Sequence, residues 1–496
     1  MGLWFFSVFY SLWFQAPGLI GPDGILPAQD LLGRVRSGTA SEGIFTRWAH
    51  RLWESPTLLW LGTGDHALEM LCGFGLVASL LLLLNVAPRW AAAGCTLAFL
   101  SFGVTLQRFS SYQSDGMLLE AGLLSIFFAP PGLRPRLAPE SPPSRLSLFA
   151  LQWLWFRIYF ESGVAKIRSH DPDWRGLTAM DHYYENGPLP TWIGWYVQQM
   201  LPHWFHAGVS LLTLLAELLL VLGLFLGRTV RIILFWVLTL FQAGIILTAN
   251  YAFLNYMVLS LGFLLLDDRY LVRFGLPLLQ APLRARVSVT WLVAGGLLLW
   301  QVYATTIPMI EGMVGLLPPE HRDGVRAAVA LLPHKPLELL SKHRFAGGYG
   351  LFARMTHDRY ELEFEGSNDG QHWKIYHYRY KPQDPRAPPG IYAPYQPRFE
   401  WNLWFASLGN WQGNDWVFTV ASRLLSGSKD VLQLFREDPF HGQPPMRVRV
   451  VRWKYWFSTP DEKRSSGVYW DRERTGLYGP VLQREPDGRV VALTVP

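Results

Sequence analysis

Arg157, Glu161 and Lys166 follow one another within and just after an apolar, aromatic segment at 149–160. Arg157 and Glu161 are four apart, so on a helix they share a face and can pair. Asp171, Asp173 and Trp174 come next, before a run rich in Tyr, Trp and Pro that ends at Trp195. Ionisable groups where a membrane span meets water are costly unless they are paired or used. Lys166 at an apolar boundary is a candidate general base. It equally suits a structural role, snorkelling to the interface while Trp174, Tyr183, Tyr184, Trp192 and Trp195 form an aromatic belt. Both readings stay open on the residues alone.

Glu217 sits in the middle of an otherwise apolar stretch, 207–227, with Arg157, Arg108 and Lys166 as possible partners. A carboxylate at that depth marks either a polar cavity or an interhelical bond. Gln242, Asn250 and Asn255 are placed to line the same interior. The histidines His170, His182, His203 and His206 match no zinc spacing and HExxH is absent, so no metal is expected. There is no Gly-x-Ser-x-Gly elbow and no P-loop. The glycine-rich Gly347-Gly348-Tyr349-Gly350 precedes a strand pattern rather than a helix, which argues against a phosphate cradle. No cofactor is expected.

The elements that carry these residues read as a membrane bundle. Of the 496 residues, 50% are hydrophobic, 15% aromatic and only 17% charged. Soluble domains usually have about 25% charged residues. The mean hydropathy of +0.13 is intermediate, as expected of a spanning half joined to a soluble half. Apolar windows fall at 67–88, 89–107, 146–161, 207–227 and 287–308. Between Arg231 and Asp267 there is no charged residue. One helix there would run roughly 50 Å at ~1.5 Å per residue, so two spans divided near Thr248-Ala249-Asn250 are expected. A shorter window at 116–130 contains Glu120, and residues 1–14 read as a short first span rather than a signal peptide. The total is eight to nine spans, some short.

Net charge is +6, without a basic stripe interleaved with aromatics, so nucleic acid is not an expected partner. Arginines cluster instead at 134, 136 and 145, at 228 and 231, and at 269, 273, 284 and 286. With nine spans all three clusters fall on the cytoplasmic side, which leaves 162–206 and everything after 308 extracytoplasmic. The expected division is a transmembrane helical domain at 1–308 and an extracytoplasmic mixed domain with a β-sheet core at 309–496. The only cysteines are Cys72 and Cys95, so the second domain cannot contain a disulfide.

In that second half, 359–365 alternates with period two, Ser367-Asn368-Asp369-Gly370 supplies a turn, and 373–380 alternates again, the pattern of a hairpin. A helical region is expected around 416–425 and 431–435, and a strand at 447–457. Trp401, Trp404 and Phe405 beside the Pro-rich 382–397 form a candidate anchor surface for a client protein. Packing into the core is the other reading, and burial of both tryptophans would remove the surface.

Several long tracts resemble the lipase maturation factor family across nearly the whole chain. They are GLIGPDGILPA, FRIYFESGVAKIRSHDPDWRGLTAMDHYYENGPLPTWIGW, YGLFARMTHDRYELEFEGSNDGQHWKIYHYRYKP and APYQPRFEWNLWFASLG. The resemblance implies a multi-pass membrane protein, in the endoplasmic reticulum membrane for eukaryotic members and the cytoplasmic membrane for bacterial ones. The short N-terminus, the arginine content and the cysteine-free second half lean towards a bacterial member. The implied partners are the lipid bilayer and an exported, lipase-like client, and the implied role is folding or maturation rather than catalysis. The family's marked loop corresponds to Asp173, Trp174, Asp181, Tyr184 and Trp192 here. Separately, Gly163-Val164-Ala165-Lys166-Ile167 is similar to a membrane segment of vitamin K-dependent gamma-glutamyl carboxylase, in which a Gly-Val-Lys-Lys-Leu stretch carries the basic lysine. Lys166 matches the second of those lysines, and Ala165 replaces the first. That similarity makes Lys166, with Glu217, Arg157 and Glu161, the candidate catalytic set of an alternative, enzymatic reading.

Overall fold

A computed structural model describes residues 1–135, 143–275 and 289–493. Arg136, Arg284 and Arg286, part of the charge pattern above, lie outside the described residues.

The N-terminal region is helical. Among the described residues four helices are long and apolar enough to cross a bilayer: Asp65–Leu83, His203–Phe225, Arg228–Thr248 and Leu292–Val314. Shorter apolar helices, Gly2–Trp13 and Leu254–Leu265, accompany them, as do helices at Pro88–Thr105, Gln113–Phe128 and Arg145–Arg168. Their outward faces are apolar, with Ile233, Trp236 and Leu240 exposed on one helix and Met70, Val77 and Leu84 on or beside another. Large exposed apolar surface of this kind belongs against lipid.

The charge-free stretch divides where expected. Arg228–Thr248 ends and Leu254–Gly262 begins across Asn250. A break between two buried apolar helices must satisfy its own backbone groups. Asn250 does this: its side-chain amide donates to the Leu189 and Gly390 carbonyls (3.1 and 2.9 Å), and its oxygen accepts from the amides of Tyr392 and Ala393 (2.7 and 3.0 Å).

The C-terminal region is built on one antiparallel sheet. Its strands are β1 (Arg359–Ser367), β2 (Lys374–Ile375), β3 (Arg447–Phe457), β4 (Trp470–Leu477), β5 (Val481–Arg484) and β6 (Val490–Leu493). They run in the order β2-β1-β3-β5-β6, and β4 also pairs with β3. The expected hairpin is present, but its second strand is only two residues long because the backbone at 376–381 turns to other partners. The amides of Arg379, Tyr380 and Lys381 all donate to the Glu400 carboxylate (2.9, 2.9 and 2.8 Å). Burial nonetheless pushes the Glu400 acid up to about 7.

The period-two pattern of β1 suggests one dry and one wet face, whereas both are buried. Leu362 and Phe364 enter the apolar core. On the other face Glu363 meets Arg472 (2.9 Å), Glu365 meets Arg449 (2.6 Å), and Glu361 pairs with Arg359 and Lys381. Tryptophans cover these cations: Arg449 lies 4.0 Å from the Trp373 ring centroid and Arg472 4.4 Å from that of Trp453. Alternation in sequence thus records apolar against ion-paired, rather than buried against solvated.

Bundle and sheet share one continuous hydrophobic core. The helix Arg398–Ser407 fastens them together through Arg398, whose guanidinium makes two bonds to Asp115 (2.6 and 2.9 Å) with both side chains fully buried.

Candidate functional site

The helix Arg145–Arg168 carries three ionisable groups on its buried face, and each meets a partner that the membrane environment demands. Arg157 is completely buried. It donates to Glu120 (2.7 Å), to Glu161 (2.9 Å) and to the Gly347 carbonyl. The second oxygens of the two carboxylates face Tyr349: its hydroxyl donates to Glu120 and its amide to Glu161, both at 2.6 Å.

Lys166 lies about two and a half turns further along. Its ammonium donates to both oxygens of Glu217 (2.9 and 2.8 Å) and to the Leu351 carbonyl (2.8 Å). Trp174 lies beneath it, 5.0 Å from the charge. Neither side chain snorkels: Lys166 is 2% exposed and Glu217 8%. Of the three partners proposed for Glu217, Lys166 takes the role. Arg157 is committed elsewhere, and Arg108 donates to the Gly413 carbonyl near the surface.

These pairs share a function that spacing alone does not reveal. Residues 347–357 form a strap laid along the helix, and the buried polar side chains hold its backbone. Besides the contacts above, the Gly350 amide donates to Gln113 (2.9 Å), Trp174 donates to the Phe352 carbonyl (2.9 Å), and the Met355 amide donates to Asp171 (2.9 Å). Gly350 is close enough that a Cβ would sit 3.1 Å from that of Ala165. The glycine-rich tract therefore allows backbone to approach a helix.

Gly163 serves the other side of the same helix. A Cβ there would fall 2.8 Å from Leu218 and 2.9 Å from Glu217. Its absence lets the two helices approach until Glu217 reaches Lys166. Gly163→Val is expected to cost about 1–3 kcal/mol through overpacking and to lower the melting temperature in detergent. An unchanged melting temperature would show that the helices can part without loss.

Beside the Lys166–Glu217 pair is a cavity of about 580 Å³, walled mainly by apolar side chains of the spans at 203–258 and roofed by Leu351 and Phe352. Its polar edge is a relay in which Asn255 donates to Gln242 and Gln242 to the Tyr159 hydroxyl, each at 2.8 Å. Asn250, expected in the same interior, is instead the clasp described above.

Of the marked-loop residues, Trp174 and Tyr184 line this cavity. Asp173 accepts from the Thr178 hydroxyl (2.9 Å) and faces His357 (2.6 Å). Burial pushes its carboxylate up, but hydrogen bonds from His357 and Thr178 outweigh that and hold it below the ordinary range. Asp181 pairs with His203 at the surface (3.0 Å), and Trp192 is exposed.

The expected exposed tryptophan surface needs correction. Trp401 and Trp404 are 7% and 8% exposed, and only Phe405, at 48%, faces out. Arg398 holds their helix down on Asp115, which turns Trp401 onto Tyr112 and Tyr251, with ring centroids 5.5 and 6.4 Å apart. All three aromatics nonetheless line a groove of about 630 Å³ between the bundle, the strap and the helix Arg398–Ser407.

Sequence reasoning missed Glu120 as a partner, and also Tyr349, Leu351 and His357. Their signal was weak: Glu120 interrupts a short apolar window, and the other three lie in the strap that the glycines introduce.

Two family models match the chain, one described as the lipase maturation factor transmembrane domain, over residues 1–273, and one as the lipase maturation factor C-terminal domain, over 345–480. Lipase maturation factor 2 of Homo sapiens is 32% identical, the alignment covering 95% of this chain and 79% of that protein. The Gallus gallus protein of the same name is 30% identical over 95% and 78%. Lipase maturation factor 1 of Homo sapiens is 30% identical over 97% and 86%. No solved structure matches.

Proposed function

The chain belongs to the lipase maturation factor family, and from that premise we propose that it is a membrane-anchored factor that assists the folding or assembly of exported, lipase-like clients. The observation that carries this reading is similarity along both regions at once, bundle and sheet, to relatives named for lipase maturation. In this reading residues 1–308 are the anchor, and 309–496 face the extracytoplasmic side.

The client would enter the groove between the bundle, the strap and the helix Arg398–Ser407. Its accessible apolar residues are Phe405 and Leu408, and Arg108 and Arg354 add charge at its edges. Aromatic side chains around a concave site suit the exposed apolar segments of a partly folded protein. Phe405 is the residue to test, because it is exposed and no buried hydrogen bond depends on it. Phe405→Ser is expected to weaken client capture about tenfold and to lower the yield of secreted active lipase, at unchanged abundance of the factor itself. Full maturation by this variant would move the client site elsewhere.

The alternative, a membrane enzyme with Lys166 as base, has the adjacent 580 Å³ cavity in its favour. Against it, all three donors of the ammonium are engaged. A base must present a free lone pair to its substrate. Maturation without catalysis at Lys166 is therefore the reading adopted.

A further inference from the structure

Asp173, His182 and His357 come from three separate segments, the short helices Pro172–Gly176 and Ala179–Asn186 and the end of the strap. Yet their ligand atoms all lie within 4.8 Å of one another. We propose that they form a divalent-metal site of the zinc type, which clamps the strap to the rim of the membrane bundle.

The chemistry of the donors fits. Two imidazoles and one carboxylate are a ligand set for Zn²⁺, with a fourth position left for water. The carboxylate is already aimed. Oδ1 of Asp173 accepts from the Thr178 hydroxyl at 2.9 Å, and Oδ2 faces Nε2 of His357 at 2.6 Å. The two imidazole rings stack with centroids 4.4 Å apart. Among the described residues no side chain hydrogen-bonds the ring nitrogens of His182. One further group sets the spacing: the Asn186 amide donates to the backbone carbonyls of both His182 and His357, at 2.9 and 3.1 Å. That amide ties the two backbones together and so fixes where both imidazoles start from.

Binding needs side-chain rotation: the stacked imidazoles must tilt until their lone pairs converge, and ligand atoms up to 4.8 Å apart must draw together. Ligands about 2.0–2.1 Å from a tetrahedral zinc are roughly 3.3 Å apart. The Asp173–His357 contact must therefore open by less than about 1 Å as the ion replaces the shared proton. Asp173 is buried while the His357 side chain is 57% exposed, which provides both a fixed anchor and a path of entry.

The site also explains why a sequence search finds no motif. His357 is separated from Asp173 and His182 by the whole second half of the bundle, and only the strap brings it back. Exposed Arg354, a few residues before His357, offers a tryptic site that reports whether the strap is held.

The test uses the full chain, purified in detergent without a polyhistidine tag, stripped with chelator, and titrated with Zn²⁺ by calorimetry and with Co²⁺ by visible absorption. One saturable equivalent per chain is expected, with tetrahedral Co²⁺ bands. His182→Ala and His357→Ala should each weaken binding by about a hundredfold or more. His182→Ala should keep the wild-type metal-free melting temperature, whereas His357→Ala, which removes a hydrogen bond from buried Asp173, should melt somewhat lower but still in one cooperative transition, which shows that both variants fold. Zn²⁺ should slow tryptic cleavage after Arg354 in the wild type and not in either variant. The proposal is overturned if the wild type shows no saturable equivalent, or if full-affinity binding survives in the double variant. It also fails if cleavage after Arg354 responds to pH but not to Zn²⁺, since the cluster would then be a protonation switch.

Discussion

Arg157→Met is expected to remove most of the folded protein from a detergent extract. The side chain is completely buried and holds two carboxylates, Glu120 and Glu161, together with the Gly347 carbonyl. Breaking a buried ion pair by deleting one partner costs about 3–5 kcal/mol, because the remaining charge keeps its desolvation penalty. Here two charges remain. Typical total stabilities are only about 5–15 kcal/mol. Arg157→Lys should fare little better, since one ammonium cannot reach three acceptors spread around a planar fork. The loss should also release the strap, because Tyr349 contacts the same two carboxylates. Thermal melting of the purified protein and the rate of tryptic cleavage after Arg354 measure both effects. Adding Glu120→Gln and Glu161→Gln to Arg157→Met should recover part of the yield by removing the orphaned charges. A single variant with wild-type melting and an intact strap would refute the structural role of the cluster.

The same cluster shows how far the sequence could be read. The Arg157–Glu161 pair follows from a four-residue spacing on a helix, and so does its burial, because the flanking residues are apolar. Glu120 was visible only as an interruption, since nothing local links it to Arg157. Tyr349 and Gly347 could not be inferred at all, because they approach through a strap whose path depends on the whole bundle. The break at Asn250 was legible for a simple reason: a charge-free stretch longer than a bilayer must divide, and its most polar point is the place. Strand β1 was legible in type and misleading in environment. Its glutamates alternate as solvated residues would, but Arg472, Arg449 and Lys381 arrive from distant segments to neutralise them. Local periodicity thus fixes element type well. Which polar residues face water, and which face a partner, is a tertiary property.

Lys166 and Glu217 provide the experiment that separates the two functional readings. Lys166→Met alone should behave like Arg157→Met on a smaller scale, leaving the Glu217 carboxylate buried without a cation. The Leu351 carbonyl also loses its donor, and the strap loses one of its ties. Glu217→Leu alone strands the ammonium in the same way. The double variant Lys166→Met/Glu217→Leu removes both charges and replaces them with side chains of similar volume. Replacing a buried pair by packed apolar groups is often neutral or stabilising by about 1–4 kcal/mol, so the double variant should regain abundance and melting temperature. Its maturation activity then decides the matter. If lipase maturation returns together with folding, the pair is a strut that positions strap against bundle, and the cavity beside it works without a base. If the protein folds and matures nothing, chemistry at Lys166 is required and the enzymatic reading replaces the one adopted. The strut is the expected result, because every donor of Lys166 is already spent on holding the structure together.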